Sequence, residues 1–246
     1  MDNKLKAVIF DFNGVIINDE PLHQKLLEQI LIEENVRPDP GEYRDCCVGR
    51  SDRACLFDIL SSRGRALTDA YIDGLIQRKS QAYLEEIATL TPLPIYPGLE
   101  DIIFQFRASQ IPLAIVSGAR RQEIEIVLNR SNLAANFALI VSSDEVKTSK
   151  PDSTGLLVAL EQLQQQYPNL ELTPANCLVI EDSPAGIEAA KGAGMSVVGV
   201  ANTYPYHMIQ RQANWTVDYL HELELDRIKR FFEQRTEAFL SASAVD

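Results

Sequence analysis

Five short apolar runs recur along the chain: Ala7–Phe10, Leu113–Val116, Ala138–Val141, Leu178–Ile180 and Val197–Val200. Each is nearly continuous and rich in β-branched residues, where a half-exposed strand would alternate apolar with polar. Strands buried on both faces of a parallel sheet read this way. Between the second run and the fifth lie stretches with helical spacing: Arg121–Asn129, Thr154–Gln166 with Gln and Glu on its outer face, and Ala185–Ala193. Strand alternating with helix predicts βαβ units and an α/β fold built on a doubly wound parallel sheet. There is no internal repeat.

Residues 18–92 break the alternation. They hold no strand-like run, and His23–Glu33, Arg53–Arg63 and Ala70–Glu86 all have helical spacing. About seventy residues are too many for a connecting loop. The pattern predicts a helical cap domain over 18–92, inserted into a core made of 1–17 and 93–246, with hinges near 17–20 and 89–96. Pro92, Pro94, Pro97 and Gly98 punctuate the return to the core. After Val200 one long helix, Leu223–Phe239, is expected, with the last few residues frayed.

Composition narrows the function. Of 246 residues, 46% are hydrophobic and 24% charged, which is ordinary for a folded globular chain. A net charge of −12 argues against general nucleic-acid binding and against docking on anionic membranes. It leaves room for a phosphorylated small molecule, since a few local cations suffice. The N-terminus runs into the first strand with no leader-like apolar region, and no apolar run reaches the length of a membrane span. The four cysteines, Cys46, Cys47, Cys55 and Cys177, lack zinc spacing. Reduced, buried thiols in a cytoplasmic protein are the expectation.

Candidate chemistry sits where the strands end. The first run stops on Asp11, the second on Ser117-Gly118, and the third leads to Ser142-Ser143-Asp144 with Lys147 and Lys150 soon after. The fourth stops on Glu181-Asp182-Ser183. Ligands of open α/β sheets bind outside the carboxyl ends of the strands. Each piece alone is common, but four chain-distant segments would deliver carboxylates, a hydroxyl and a lysine to one edge. Hard divalent cations such as Mg²⁺ take carboxylate oxygens together with substrate phosphate. A phosphate takes a lysine and hydroxyl or backbone donors. An Asp beside that phosphate can attack phosphorus and form an aspartyl-phosphate.

These segments resemble the haloacid dehalogenase superfamily, and within it the β-phosphoglucomutase-like phosphatases and mutases. The resemblance covers nearly the whole chain. It implies a Rossmann-like core with a helical cap, a Mg²⁺ cofactor, and a small phosphorylated metabolite, with a sugar phosphate first, as partner. Assembly is expected to be a monomer or weak homodimer. "DFNGV" is similar to the first motif, with Asp11 as nucleophile; "VSG" to the second, with Ser117 and Gly118 on the phosphate; Lys150 in "SKPD" to the third. "EDSPAGIEAAKGAG" is similar to the fourth and is the most specific string, implying that Glu181 and Asp182 hold the metal with Asp11 and the Asn13 carbonyl. In the cap, His23 and the "GRSDR" arginines, Arg53 first and Arg50 second, resemble substrate-binding residues, and Arg120 resembles a cation beside the second motif. The bland alternative for each is a solvated surface charge, or a helix-start residue for His23.

Asn13 departs from the pattern. Family phosphatases and mutases usually carry an Asp there, which protonates the leaving alcohol and then activates water or a hydroxyl. An amide donates and accepts hydrogen bonds but does not titrate near neutrality. Losing such a group typically costs on the order of 10²–10⁴ in rate. Three accounts stand open: a slow enzyme with a long-lived phosphoenzyme, as in the related transport ATPases; a proton from His23, Asp19 or Glu20; or phosphometabolite binding without turnover. An engineered Asp→Asn replacement is a fourth. Metal-free dehalogenation also uses an Asp nucleophile, but it does not need the Glu181-Asp182 pair.

Overall fold

The structure, a computed structural model, describes residues 4–243. In chain order it contains β1 (Ala7–Phe10), α1 (Glu20–Glu33), α2 (Glu42–Cys46), α3 (Asp52–Ser62), α4 (Asp69–Thr89), α5 (Leu99–Ala108), β2 (Leu113–Val116), α6 (Arg121–Arg130) and β3 (Leu139–Val141). There follow α7 (Thr154–Gln166), β4 (Cys177–Glu181), α8 (Pro184–Gly192), β5 (Ser196–Val200), α9 (Tyr206–Ile209), β6 (Trp215–Val217) and α10 (Leu225–Ser243). The six strands form one parallel sheet in the order β3-β2-β1-β4-β5-β6. Chain order reverses at β1 and β4, which places a crevice between their carboxyl ends.

Alternation along the strands divides the core in two. Val8, Phe10, Leu113, Ile115, Leu178 and Ile180 face α5, α6 and α10. Ala7, Ile9, Ala114, Val116, Cys177 and Val179 face α7, α8 and α9. All four residues of β1 are buried, so the strand can carry no polar side chain until it ends. The α/β class and doubly wound sheet are those the apolar runs predict.

The helices between residues 20 and 89 enclose a further apolar core, with Leu27, Leu31, Leu56, Ile59 and Ile72 among its members. The two chain crossings that join them to the sheet lie side by side. Ile17 and Ile95 form an antiparallel bridge, Asn18 N–H donates to the Pro94 carbonyl at 2.8 Å, and Tyr96 N–H donates to the Ile16 carbonyl at 3.1 Å.

Several elements differ from expectation. β6, α2 and α9 are three to five residues long, too short to show a period. α5 begins directly after Pro97-Gly98, so its apolar stripe, Leu99, Ile102, Ile103 and Phe106, lies against residues that read as a turn. Cys47 and Cys55 are joined as a disulfide, against the expectation of reduced thiols. The N-terminus of α3 brings the two side chains together across the intervening loop, while Cys46 and Cys177 remain free. No helix among the described residues is long and apolar enough to cross a membrane. The expected fraying of the last few residues falls outside the described residues.

Candidate active site

β1 delivers Asp11 to the crevice, and the chain then turns sharply. Asp11 N–H still donates to the Ile180 carbonyl at 2.9 Å, extending the ladder by one residue. Ile16 and Gly14 N–H close the following loop on the carbonyls of Phe12 and Ile17. Gly14 has φ +78°, and a Cβ there would fall on the Asp182 carboxylate. Glycine is therefore required by both backbone conformation and space.

Asp11, Glu181 and Asp182 meet, with one ligand atom from each within 4.8 Å of the others. All three are buried. Lys150 Nζ lies between two of them, 2.8 Å from Asp11 Oδ1 and 2.5 Å from Glu181 Oε1. Glu181 is otherwise satisfied: its Oε2 accepts from the backbone of Asp182 and Ser183 and from the Ser183 hydroxyl. Asp182 Oδ2, by contrast, is buried with no hydrogen-bond partner. Burial, followed by the Glu181 charge, pushes the Asp11 carboxyl up to about 7, against the lowering effect of Lys150. Burial, then Glu181 and Asp11, push Asp182 well above the usual carboxylate range. Burial disfavours the Lys150 charge, and Asp11 and Glu181 more than offset it, so the ammonium holds its proton tightly. An orphaned carboxylate oxygen within an all-oxygen donor set of excess negative charge fits a hard divalent cation.

Ser117, after β2, accepts at Oγ from Ala119 N–H at 3.0 Å and donates to Asn13 Oδ1 at 3.4 Å. Asn13 also binds the cap. Its Nδ2 donates to both oxygens of Asp19, at 3.0 and 3.1 Å, and lies 3.1 Å from His23 Nε2. His23 is buried and stacked on Tyr83 with ring centroids 4.7 Å apart. Its Nδ1 is 2.7 Å from Lys79 Nζ, and Lys79 pairs with Asp52 at 2.7 Å. An ammonium only donates, so Nδ1 accepts and the ring proton sits on Nε2, 3.4 Å from Asp19 Oδ2. Glu20 accepts from the Tyr43 hydroxyl at 2.5 Å, and burial raises its carboxyl.

Asp11, Asn13, His23, Gly118 and Arg50 all line one small cavity of about 30 Å³, together with Glu20 and Tyr43. Gly118 lets the loop before α3 approach closely: a Cβ there would come within 2.8 Å of the Arg50 carbonyl. Ser51 N–H also donates to Ser149 Oγ at 2.8 Å, tying the loop before α3 to the core.

Arg53 and Arg120 sit elsewhere. Asp69 and Asp73 of α4 hold the Arg53 guanidinium, Asp144 holds that of Arg120 at 3.2 Å, and both arginines line an outer cleft. Of the two "GRSDR" arginines it is Arg50 that reaches the cavity, with its guanidinium on the Cys46 carbonyl and Asp58. Acidic partners distant in sequence draw Arg53 outward. Lys79 was missed, although it is spaced with Ile72, Leu75, Tyr83 and Ile87 on the buried stripe of α4. A lysine on an apolar stripe is the signal that would have found it.

Comparison with known proteins agrees with this architecture. β-Phosphoglucomutase of Bacillus subtilis is 30% identical over 224 residues, covering 89% of this chain and 95% of that protein. The phosphorylated carbohydrates phosphatase of Thermotoga maritima is 27% identical over 201 residues, covering 81% and 87%. The crystal structure of β-phosphoglucomutase from Clostridium difficile superposes with a TM-score of 0.81 at 24% identity, over 94% of this chain and 99% of that one. The haloacid dehalogenase-like hydrolase family matches residues 8–200, and the chain belongs to that family as a member of its β-phosphoglucomutase-like group.

Proposed function

We propose that the chain is a Mg²⁺-dependent phosphoric monoester hydrolase acting on a small phosphorylated sugar through an aspartyl-phosphate. The observation that carries this is the buried meeting of Asp11, Glu181, Asp182 and Lys150 at the β1–β4 crevice. Asp11, Asp182 and the Asn13 carbonyl would hold Mg²⁺, with Glu181 supporting Lys150 and the turn at Ser183. When bound, the cation offsets the repulsion between carboxylate and phosphate.

An Asp11 oxygen attacks phosphorus, the P–O bond to the sugar breaks, and the sugar oxygen takes a proton from Glu20 or His23 on the cavity wall. Water then attacks phosphorus of the acyl phosphate and returns its proton to that group, releasing phosphate and restoring Asp11. Ser117 and Lys150 hold the transferring group. The cap helices, anchored at 17–18 and 94–96, close over it and exclude water. Asn13 supplies no proton, so both steps are slow for this family. Glu20 and His23 are among the titrating groups of the cap on the cavity wall.

The test is phosphate release from p-nitrophenyl phosphate and a sugar-phosphate panel with Mg²⁺. Asp11→Asn is expected to lower kcat by roughly 10⁴ or more. Turnover that survives this substitution, or phosphate binding with no turnover on any panel member, overturns the hydrolase reading. The second reading is a phosphomutase, favoured by the 30% identity to the Bacillus enzyme. It predicts an isomerised sugar phosphate without phosphate release.

A further inference from the structure

Asp19 lies at the N-cap position of α1, where an aspartate normally accepts from the first backbone N–H groups. Its side chain makes no such bond. The carboxylate is 2% exposed and turned to the site. Three donors converge on it: the Asn13 amide at 3.0 and 3.1 Å, the Tyr83 hydroxyl at 2.6 Å and His23 Nε2 at 3.4 Å. Oδ1 accepts from the Asn13 amide. A second carboxylate at position 13 would remove that donor and set acceptor against acceptor about 3 Å apart.

We infer that Asn13 and Asp19 are a matched pair. Asp19 is a positioning residue that fixes the Asn13 amide, with its Oδ1 turned to Ser117, and a carboxylate at position 13 finds a donor across the pair only when position 19 carries the amide. The inference rests on the phosphatase reading above. It also reaches past it, because it says why the amide is there and denies that a single Asn13→Asp change creates a fast enzyme.

A four-member cycle tests it: wild type, Asn13→Asp, Asp19→Asn and the double variant, each assayed with p-nitrophenyl phosphate and Mg²⁺. Asn13→Asp alone is expected to lower kcat severalfold below wild type. The double variant, in which acid and amide exchange places, is expected to exceed Asn13→Asp by roughly 10²-fold, the usual contribution of a general acid–base group. KM should stay within about threefold, which separates positioning from substrate binding. If Asn13→Asp alone matches the double variant, the two positions act independently and the inference is overturned.

Thermal melting of the same four proteins reads the pair without any activity. Asn13→Asp is expected to lower Tm by about 5 °C and the double variant to recover more than half of that. Strictly additive Tm changes overturn the pairing. If no member turns over but the melting cycle shows recovery, the hydrolase reading has failed and the pairing stands.

Discussion

Two buried polar clusters face each other across the cavity, and they are built on opposite plans. On the core side, three carboxylates meet, one ammonium reaches two of them, and an Asp182 oxygen is left without a partner. On the cap side, Asp19 collects three donors, and Lys79 is closed off between His23 and Asp52. The first cluster is incomplete as protein alone and invites a cation. The second is complete and rigid, so it can orient a neighbour without a ligand's help. The pKa directions follow this division. Asp11 and Asp182 are pushed up, chiefly by burial, while for Asp19 burial is outweighed by His23, Asn13 and Tyr83 and the carboxyl sits below the usual range.

The contrast is broken most forcefully by opening the completed cluster. Lys79→Met strips the cation from Asp52 and the donor from His23, and one-sided loss of a buried ion pair is expensive. A fall of about 3 kcal/mol in unfolding free energy is expected in urea denaturation. A loss below 1 kcal/mol would show that the cap cluster is not a finished structural unit.

The incomplete cluster is sharpened by pH and metal. Asp11 has its ordinary value of 3.8 raised to about 7, so its contribution to stability is present at low pH and lost as pH rises through that window. Asp182 shifts in the same direction. Metal-free protein should therefore lose thermal stability as the buffer moves from acid to neutral, and Mg²⁺, which takes the ionised carboxylates, should restore it. Calorimetric Mg²⁺ affinity is expected to fall about tenfold per pH unit below neutrality. Equal affinity at pH 5 and pH 8 would contradict the contrast. The smallest effect concerns the two loop arginines. Arg50→Ala should raise KM for a sugar phosphate about tenfold, the worth of a charge-assisted hydrogen bond, and Arg53→Ala less than twofold. The reverse order would place the substrate in the outer cleft.

The two clusters were not equally legible in the sequence. Strands leave a plain trace: an unbroken apolar run that stops on a polar residue. For that reason Asp11, Ser117 and the Glu181-Asp182 pair could be placed at strand ends, and β1 and β2 have the bounds their runs predict. The cap depends on which side of each helix turns inward, and on pairings across tens of residues. Arg53 reads like a ligand until Asp69 and Asp73 are brought beside it. Lys79 reads like a surface charge until its place on the α4 stripe is counted. Asp19 reads like a helix cap, because nothing local reveals that its side chain points the other way. β6 was missed because three residues with partial exposure carry no period.

The narrowness of the cavity around Asp11 has a consequence for traffic. Its 30 Å³ accommodates about two water molecules, far less than any sugar phosphate. A sugar phosphate needs that space to widen before it reaches the nucleophile, and if widening limits the rate a viscous solvent should lower throughput.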